Sequence, residues 1–386
     1  MFSSRLPPQT ETNELTRALA ALRARGAAVA DLTESNPTRA GIPYPDGLLA
    51  PLAQARALEY EPHPLGLPSA RAAVAADHRR RGVVVDPAHI VLTASTSEAY
   101  AWLFKLLCDP GDCVLVPRPS YPLFEHLTRL EGVRAEPYDL EYHGRWEIDA
   151  DQLRTAPHDV KAILVVSPNN PTGSYISSVE CERLSAVCRD RRWALVADEV
   201  FADYPLDASS PLTDLAAKAD VLSFTLAGLS KSVGLPQVKL GWIVAGGPPT
   251  ERHAALSALE LIADSFLSVN TPVQLAAPDL LRGGVEIRTA IQDRTRGNLD
   301  ALRETARQFP ACEVLRVEGG WSAVIRVPAT RGEERLVLDL LENERVLVHP
   351  GYFFDFRSEA FIVVSLLTDA AVFRDAIARV LRFAAC

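Results

Sequence analysis

Short apolar runs rich in β-branched residues alternate with longer helical patterns between about residues 69 and 245. This alternation predicts βαβ units and a mostly parallel sheet. The predicted helices include Ser69–Arg80, which ends at Gly82, and Ser97–Leu107, which ends at the turn DPGD. The predicted strands are His89–Thr93, Cys113–Pro117, Val133–Pro137, Ala162–Ser167, Trp193–Ala197, Val221–Leu226 and Leu240–Ala245.

The C-terminal third has a different pattern, in which helical stretches at about 250–266 and 286–308 precede the apolar run Trp321–Val327. A helix near 333–344 and the strand FIVVSLL follow. These elements predict a second domain of the α+β type.

An amphipathic helix near Asn13–Arg25, which ends at Gly26, is expected to pack on this smaller domain. We therefore expect a large α/β domain over residues 45–275 and a small α+β domain formed by residues 1–44 and 276–386.

Composition narrows the possible functions. A chain of 386 residues with 48% hydrophobic residues can bury a large core, and its net charge of −9 argues against nucleic acid as a partner. No apolar run approaches 18 residues and no signal pattern is visible, so we expect a cytoplasmic protein that does not insert into membranes. The six cysteines lack the spacing of zinc sites, which predicts reduced packing residues and no metal centre.

Candidate chemistry lies where the predicted strands end, which is where open α/β sheets bind ligands. In LTASTSEAY, a strand runs into Ser95, Thr96 and Ser97 at the start of a helix. Free N–H groups and hydroxyls at a helix N-terminus can hold a phosphate, although the same residues also serve as ordinary helix caps.

Two further strand ends present Tyr121, in VPRPSYPLF, and Asn170, in VVSPNNPTG. The tyrosine ring can lie against a heteroaromatic cofactor or belong to the core. Asn170, fixed between prolines, can donate a hydrogen bond to a phenolic oxygen, although turn formation alone also explains such a motif.

The last pair consists of an acid and an amine. Asp198 closes a strongly apolar strand, where a carboxylate is costly unless a cation accompanies it. Lys231 follows another apolar strand in a turn rich in Gly and Ser, where burial favours the neutral, nucleophilic amine. An ordinary surface lysine is the alternative.

Taken together, PNNPTG, DEVF and SKSVGLPQVKLG resemble the fold-type I pyridoxal 5'-phosphate enzymes, specifically the class I/II aminotransferase family, from about Asp31 to the C-terminus. The resemblance implies that Lys231 forms a Schiff base with the cofactor and carries a proton between Cα and C4'. It also implies that Asp198 keeps the pyridine nitrogen protonated. Asn170 would bond the 3' oxygen, Tyr121 would stack on the ring, and residues 95–97 would hold the phosphate.

The same resemblance extends to two loops. YEPHPLGLPSAR places Tyr60 where relatives send a tyrosine to the neighbouring subunit's phosphate, which implies a homodimer with shared active sites. The gap from Tyr60 to Gly66 is one residue longer than the pattern. HPGYFFDF (residues 349–356) resembles a loop that borders the substrate, and a buried aromatic turn is the alternative.

Two positions depart from the family at the cofactor. Phe201 stands where many relatives have a tyrosine for the 3' oxygen, so that bond is lost unless Tyr204 bends in. Lys239 replaces an arginine on the phosphate, which keeps the charge but loses the bidentate fork.

A third departure concerns the substrate. Val363 occupies the place of the arginine that grips the substrate carboxylate in α-amino-acid aminotransferases. Either another cation such as Arg39 or Arg118 replaces it, or the substrate has no carboxylate at that site.

The resemblance favours an aminotransferase that moves an amino group from an amino acid or amine donor to a keto acid or carbonyl acceptor. A lyase of the same fold, such as a C–S β-lyase or a decarboxylase, is the alternative, because one scaffold hosts many reactions. A non-catalytic regulator that keeps the cofactor pocket is a third possibility.

Overall fold

The helices were located in a computed structural model, which describes residues 2–6, 13–207, 215 and 220–386. In chain order, the α-helices of these residues are Glu14–Ala24 (α1), Pro68–Arg80 (α2), Thr96–Leu107 (α3), Leu123–Leu130 (α4), Ala150–Leu153 (α5), Ser178–Arg191 (α6), Leu229–Ser232 (α7), Pro249–Asp264 (α8), Thr271–Gly283 (α9), Val285–Ala306 (α10), Glu333–Asn343 (α11) and Ala370–Ala384 (α12).

The strands of the described residues form three sheets. In chain order they are Ala30–Asp31 (β1), Ile90–Thr93 (β2), Cys113–Arg118 (β3), Arg134–Tyr142 (β4), Trp146–Ile148 (β5), Val160–Val166 (β6), Ala194–Asp198 (β7), Ser223–Gly228 (β8), Gly241–Gly246 (β9), Glu313–Val314 (β10), Ser322–Arg326 (β11), Val346–Leu347 (β12), His349–Pro350 (β13) and Phe361–Ser365 (β14).

The largest sheet has eight strands in the order β2-β9-β8-β7-β6-β3-β4-β5. Its five central strands, from β8 to β4, run parallel, while β2, β9 and β5 pair antiparallel with their neighbours. Parallel strands need crossover connections, and the helical patterns of the sequence supply them. The result is a mostly parallel central sheet in a mixed α/β fold, as the sequence predicts.

Helices cover both faces of this sheet. Leu103 of α3 and Leu259 of α8 pack on one face, together with strand residues such as Val196. Leu184 of α6 packs on the other face, and Val74 of α2 lies there beside the outer strands. A parallel sheet that is buried on both faces explains why its strands are continuous apolar runs in the sequence.

The smaller sheet is antiparallel, with the order β10-β11-β14-β13, and β1 pairs with β12 beside it. Helices α10 and α12 contribute Leu299 and Phe373 to its core. Leu22 of α1 packs against Leu341 of α11, so the N-terminal helix packs on this smaller layer, as the sequence predicts.

The predicted strand starts lie within two residues of those observed, and the main difference is the length of β4. The prediction ends this strand at Pro137, but the strand continues to Tyr142. Pro137 pairs with Val116 of β3, but β5 pairs only with residues 140–142, so the other side of the strand is open at Pro137. A strand tolerates proline beside such an open edge.

The two domain boundaries stay a prediction. Position 275, where the prediction divides the chain, lies inside α9, and Ala276 and Leu280 of that helix pack with the large sheet's residues. We therefore propose that the division falls after α9 rather than within it.

Candidate active site

Four turns meet at one edge of the large sheet, because β3, β6, β7 and β8 are parallel and present their carboxyl ends together. The turns are tied to each other. Ser120 Oγ, in the turn after β3, lies 3.2 Å from Asn169 Oδ1, in the turn after β6, and the Ser167 amide donates to the Asp198 carbonyl at 2.9 Å. The sequence motifs therefore come together at the edge where they were expected.

Lys231 lies in α7, a single helical turn that follows β8. Its side chain is half-buried, and burial lowers the pKa of the amine to about 8, although the Asp198 carboxylate opposes that shift. The amine lies 5.0 Å from the ring centre of Trp321 and 5.7 Å from that of Phe201. The lowered pKa enlarges the neutral fraction of this amine near neutral pH, which a nucleophile requires.

Asp198 is the last residue of β7 and is buried. One carboxylate oxygen accepts a hydrogen bond from the Tyr100 hydroxyl and the other from the Val200 amide, each at 3.0 Å. Burial nevertheless raises the pKa of this carboxyl group to about 6, against the opposing effects of those two bonds and of Lys231. The site holds an acid that lacks a close cationic partner among the described residues.

Asn170 and Asn169 have different environments although they are adjacent. The Asn169 amide donates to the Pro119 carbonyl at 3.1 Å and to Thr172 Oγ1 at 2.9 Å, so this residue holds the turns together. Asn170 Oδ1 accepts from Ser322 Oγ at 3.2 Å, while its Nδ2 donates to no acceptor among the described residues. Asn170 therefore presents a fixed and available N–H donor.

Residues 95–97 begin α3. Ser95 is the N-cap, and its hydroxyl accepts from the Glu98 amide at 3.2 Å, so the capping interpretation holds for this side chain. The hydroxyls of Thr96 and Ser97 make no hydrogen bond with the described residues. A β-carbon at Gly241 would lie 3.1 Å from the Thr96 nitrogen, so only glycine lets β9 approach this helix start so closely.

The other predicted cofactor residues lie at the surface. The side chains of Tyr121 and Tyr60 are 47% and 74% exposed, and Lys239 is also exposed, with a left-handed backbone at φ 62°. None of the three side chains has a hydrogen-bond partner among the described residues. A single chain thus leaves these three groups available to a ligand or to a second chain.

The structure shows how Phe201 and Tyr204 are placed at the first departure from the family. Phe201 packs edge-on against Trp321 at 5.2 Å, and no hydroxyl replaces the missing one. Tyr204 does not bend toward the cofactor position, because its hydroxyl donates to the carbonyl oxygens of Lys231, at 2.6 Å, and Ser232, at 3.2 Å.

Val363 is buried in the middle of β14, opposite Val324, with no cation in its place. The side chain of Arg39 is 74% exposed and lies 3.7 Å from Glu34. That of Arg118, at the end of β3, is 24% exposed and bonds Asp139 through Nε at 2.7 Å. Arg357 lies 2.8 Å from the other oxygen of Asp139, so one carboxylate binds two guanidinium groups.

Sequence reasoning missed Tyr100, Trp321 and Ser322 as residues of the site. Tyr100 ends the motif LTASTSEAY, one helical turn beyond Thr96, so its presence in that motif is a signal that could have indicated it. Trp321 and Ser322 come from β11 and its preceding turn, about 90 residues after Lys231, and only the packing of the small sheet on the large one brings them here.

The family model for aminotransferase class I and II matches residues 41–380. The chain belongs to this family. Glutamate-pyruvate aminotransferase AlaA from Haemophilus influenzae is 27% identical over 94% of this chain and 92% of its own length. An alanine aminotransferase from Mycobacterium tuberculosis is 28% identical over 86% of this chain and 80% of its own.

Solved structures agree on the fold of this class I/II family member. The alanine aminotransferase from Pyrococcus furiosus superposes with a TM-score of 0.87, at 24% identity, over 96% of this chain and 95% of its own. An aspartate aminotransferase from Thermotoga maritima gives 0.85 at 22% identity, over 99% of each chain. The predicted fold-type I architecture is confirmed.

The chain is therefore an enzyme, a pyridoxal-phosphate-dependent aminotransferase, and its relatives support amino transfer rather than the lyase alternative. The residues present fit the cofactor. A buried acid without a close cation suits a pyridinium nitrogen, the open Asn170 donor suits a phenolic oxygen, and the start of α3 suits a phosphate. None of the helices found in the described residues has both the length and the hydropathy that a membrane span requires.

Proposed function

We propose that Lys231 attaches the cofactor covalently and moves the proton during amino transfer between an amino acid and a 2-oxo acid. The observation that carries this proposal is the pairing of a half-buried amine, with its pKa lowered to about 8, and a buried acid, with its pKa raised to about 6. Opposite shifts on two neighbouring groups are typical of acid–base chemistry. Bound pyridoxal phosphate supplies an electron sink for the carbanion at the substrate's Cα.

Each protein group has a defined task in this proposal. The Asp198 carboxylate holds the cofactor's ring nitrogen and favours its protonated form, and Tyr100 and the Val200 amide keep that carboxylate oriented. Asn170 donates to the 3' oxygen, and Ser322 fixes the direction of its amide. Residues 95–97 and Lys239 hold the phosphate, and Tyr121 covers the ring.

For the substrate, we propose a small 2-amino acid and its 2-oxo acid, as the names of the alanine and glutamate-pyruvate aminotransferases suggest. Arg118 is the better candidate to bind the carboxylate. Its salt bridge to Asp139 uses Nε, and its two terminal nitrogens have no hydrogen-bond partner within the described part of the chain. Arg118 also directly precedes the turn that carries Tyr121. Arg39 lies mostly in solvent, where an ion pair contributes little.

We also propose a homodimer in which Tyr60 reaches the partner's phosphate site. Residues 60–66 and 267–274 line one groove, and the apolar side chains of Leu58, Phe266 and Leu267 are exposed near it. Exposed apolar groups that cluster in this way are typical of an interaction surface. A two-fold dimer would cover them and bring Tyr60 to its proposed phosphate.

A single half-reaction tests the proposed function. The full chain, loaded with pyridoxal phosphate, is mixed with alanine, glutamate, cysteine or ethylamine, and the products are identified by mass spectrometry. We expect alanine to yield pyruvate with the amino group kept on the protein, and ethylamine, which lacks the carboxylate, to react far more slowly. Ammonia released with pyruvate from cysteine, without any 2-oxo acid acceptor, would instead indicate elimination.

Two variants test the substrate contact. Arg118→Gln should raise the KM for alanine by about 10-fold or more, because a charge-assisted hydrogen bond contributes about 1.5–3 kcal/mol. The matched control, Arg39→Gln, should leave KM unchanged. Equal effects of the two substitutions would remove Arg118 from the proposal.

A further inference from the structure

Side chains from distant parts of the chain donate hydrogen bonds to the backbone of the turn that carries Lys231. Its helix, α7, has only four residues, so its last carbonyl groups lack intrahelical partners. Tyr204 donates to the carbonyls of Lys231 and Ser232, and Tyr44 donates to the Gly234 carbonyl at 2.6 Å. Arg288 Nε donates to the Ser232 carbonyl at 2.9 Å. The turn is therefore fixed through its backbone rather than through its own side chains.

Arg288 is the unusual member of this set, because it is a buried cation that is only 6% exposed. Its charge is balanced by two acids, Asp77 of α2 at 3.2 Å and Asp203 at 3.5 Å. Arg80 pairs with both of these acids. A buried guanidinium is costly unless such partners compensate it, and the partners in turn fix its position.

The same helix that carries Arg288 also reaches the small sheet. Asn298 of α10 donates to the carbonyls of Leu366 and Thr368, directly after β14, at 2.8 and 2.7 Å. Arg288 therefore connects the lysine turn to a helix that is also bonded, ten residues later, to the segment after β14. This anchoring gives the Ser232 carbonyl a rigid donor.

We infer that Arg288 is a positioning residue for Lys231. Held by Asp77 and Asp203, it fixes the carbonyl of Ser232 and so sets the direction in which the Lys231 side chain leaves the turn, toward Asp198 and the ring of Trp321. This inference rests on the proposed role of Lys231 as the cofactor lysine. Arg288 contacts neither the amine nor Asp198 and acts only through the backbone.

The consequence is a preorganised amine. A lysine side chain has many rotamers, and its attack on an aldehyde carbon requires the nitrogen within about 3–3.5 Å at the correct angle. A turn that rocks by about 1 Å can cost about 100-fold in rate. Losing the Arg288 bond should therefore slow covalent attachment without changing which lysine reacts.

The test measures cofactor attachment in the full chain rather than turnover. Cofactor is removed, pyridoxal phosphate is added back, and the link is trapped with borohydride at a series of times and pH values before peptide mass spectrometry. The variants are Arg288→Lys, which keeps the charge, Arg288→Met, which removes it, and Tyr204→Phe, which removes one hydroxyl. Arg296→Met, an exposed position on the same helix, is the matched control.

We expect the plateau rate of trapping at Lys231 to fall by about 10–100-fold in Arg288→Met and by less in Arg288→Lys and Tyr204→Phe. The pH midpoint should stay where it is in the unmodified chain, because a positioning effect lowers the plateau whereas an electrostatic effect moves the midpoint. Arg296→Met should match the unmodified chain.

Two results overturn different claims. If folded Arg288→Met keeps the unmodified plateau, the positioning role is wrong. If Arg288→Met fails to fold, an unmodified plateau in Arg288→Lys overturns the role, because lysine lacks the guanidinium fork that joins the Ser232 carbonyl to Asp77 and Asp203. If the unmodified chain is labelled at a lysine other than Lys231, the proposed function fails instead.

Discussion

The floor of the site and its rim are built in different ways. The floor, formed by Asp198, Asn170 and Lys231, lies at the ends of buried strands, and hydrogen bonds hold the two polar side chains and the lysine turn in place. The rim, formed by Tyr121, Tyr60 and Lys239, is exposed, and its side chains have no partner among the described residues.

One chain therefore fixes the floor residues in place but leaves the side chains of the rim without partners among the described residues. Hydrogen bonds within one chain hold the floor, so substitutions there should act on chemistry in every assembly state. On the proposed function, the rim residues bind cofactor or a second chain, so substitutions there should act on binding and should depend on assembly. The predictions that follow probe this contrast, beginning with the largest expected effect.

Lys231→Ala should lower the half-reaction rate by about 10⁴-fold, because a positioned acid–base group typically contributes 10²–10⁴-fold and covalent attachment is lost as well. Stopped-flow absorbance with alanine measures this rate, and the unmodified chain's long-wavelength cofactor band should be missing. A variant that keeps this band and reacts within tenfold of the unmodified chain would exclude Lys231.

Asp198→Asn should lower kcat by about 10³-fold while cofactor stays bound, because an amide does not keep the ring nitrogen protonated. Steady-state kinetics and cofactor titration together separate the two effects. The contrast with the rim breaks down if the loss appears in cofactor affinity and kcat is unchanged.

Tyr60→Ala probes the rim and should weaken cofactor binding by about 10-fold, the effect of losing one hydrogen bond to a charged group. Mixing this variant with Lys231→Ala provides the sharper measurement. If Tyr60 serves the partner's site, a mixed dimer regains one intact site and with it activity that Lys231→Ala alone lacks. A mixture no more active than the sum of its parts would place Tyr60 outside the neighbouring site.

The smallest expected effect is on the stability of the folded protein at acid pH, and it concerns His349 in the loop of residues 349–356. Burial lowers the pKa of His349 to about 4, below its unfolded value near 6.5, and its ring stacks on Phe353 at 4.9 Å. Because unfolding lets this imidazole bind a proton, its contribution to stability is present above pH 6.5 and is lost as pH falls toward 4.

His349→Gln should therefore lose less stability than the unmodified chain between pH 6.5 and 4.5, a difference of about 2–5 °C in the unfolding midpoint. Calorimetry at matched ionic strength measures this difference. Parallel pH profiles for the two proteins would mean that His349 does not titrate in this way.

Local patterns in the sequence predicted the strands, because a buried parallel strand is an apolar run of recognisable length. They also predicted the floor, since Asp198, Asn170 and Lys231 each follow such a run directly. Long-range contacts were not accessible in this way. Nothing near Tyr204 or Arg288 in the sequence shows that both side chains donate to the carbonyl of Ser232.

Val363 also shows that local sequence patterns do not reveal long-range contacts. The sequence identifies the missing arginine, but only the fold shows that Val363 is buried and lies opposite Val324 of the neighbouring strand β11. A substitution can be read from a motif, whereas the neighbours that compensate for it depend on the tertiary structure.

Trp321 gives this enzyme an internal optical reporter. Its indole lies beside the Lys231 amine, and its N–H has no acceptor among the described residues. A conjugated ring attached to that amine would absorb in the region where indole emits and would quench this emission at close range. Fluorescence of the unlabelled protein should therefore follow the arrival and departure of its coenzyme in real time.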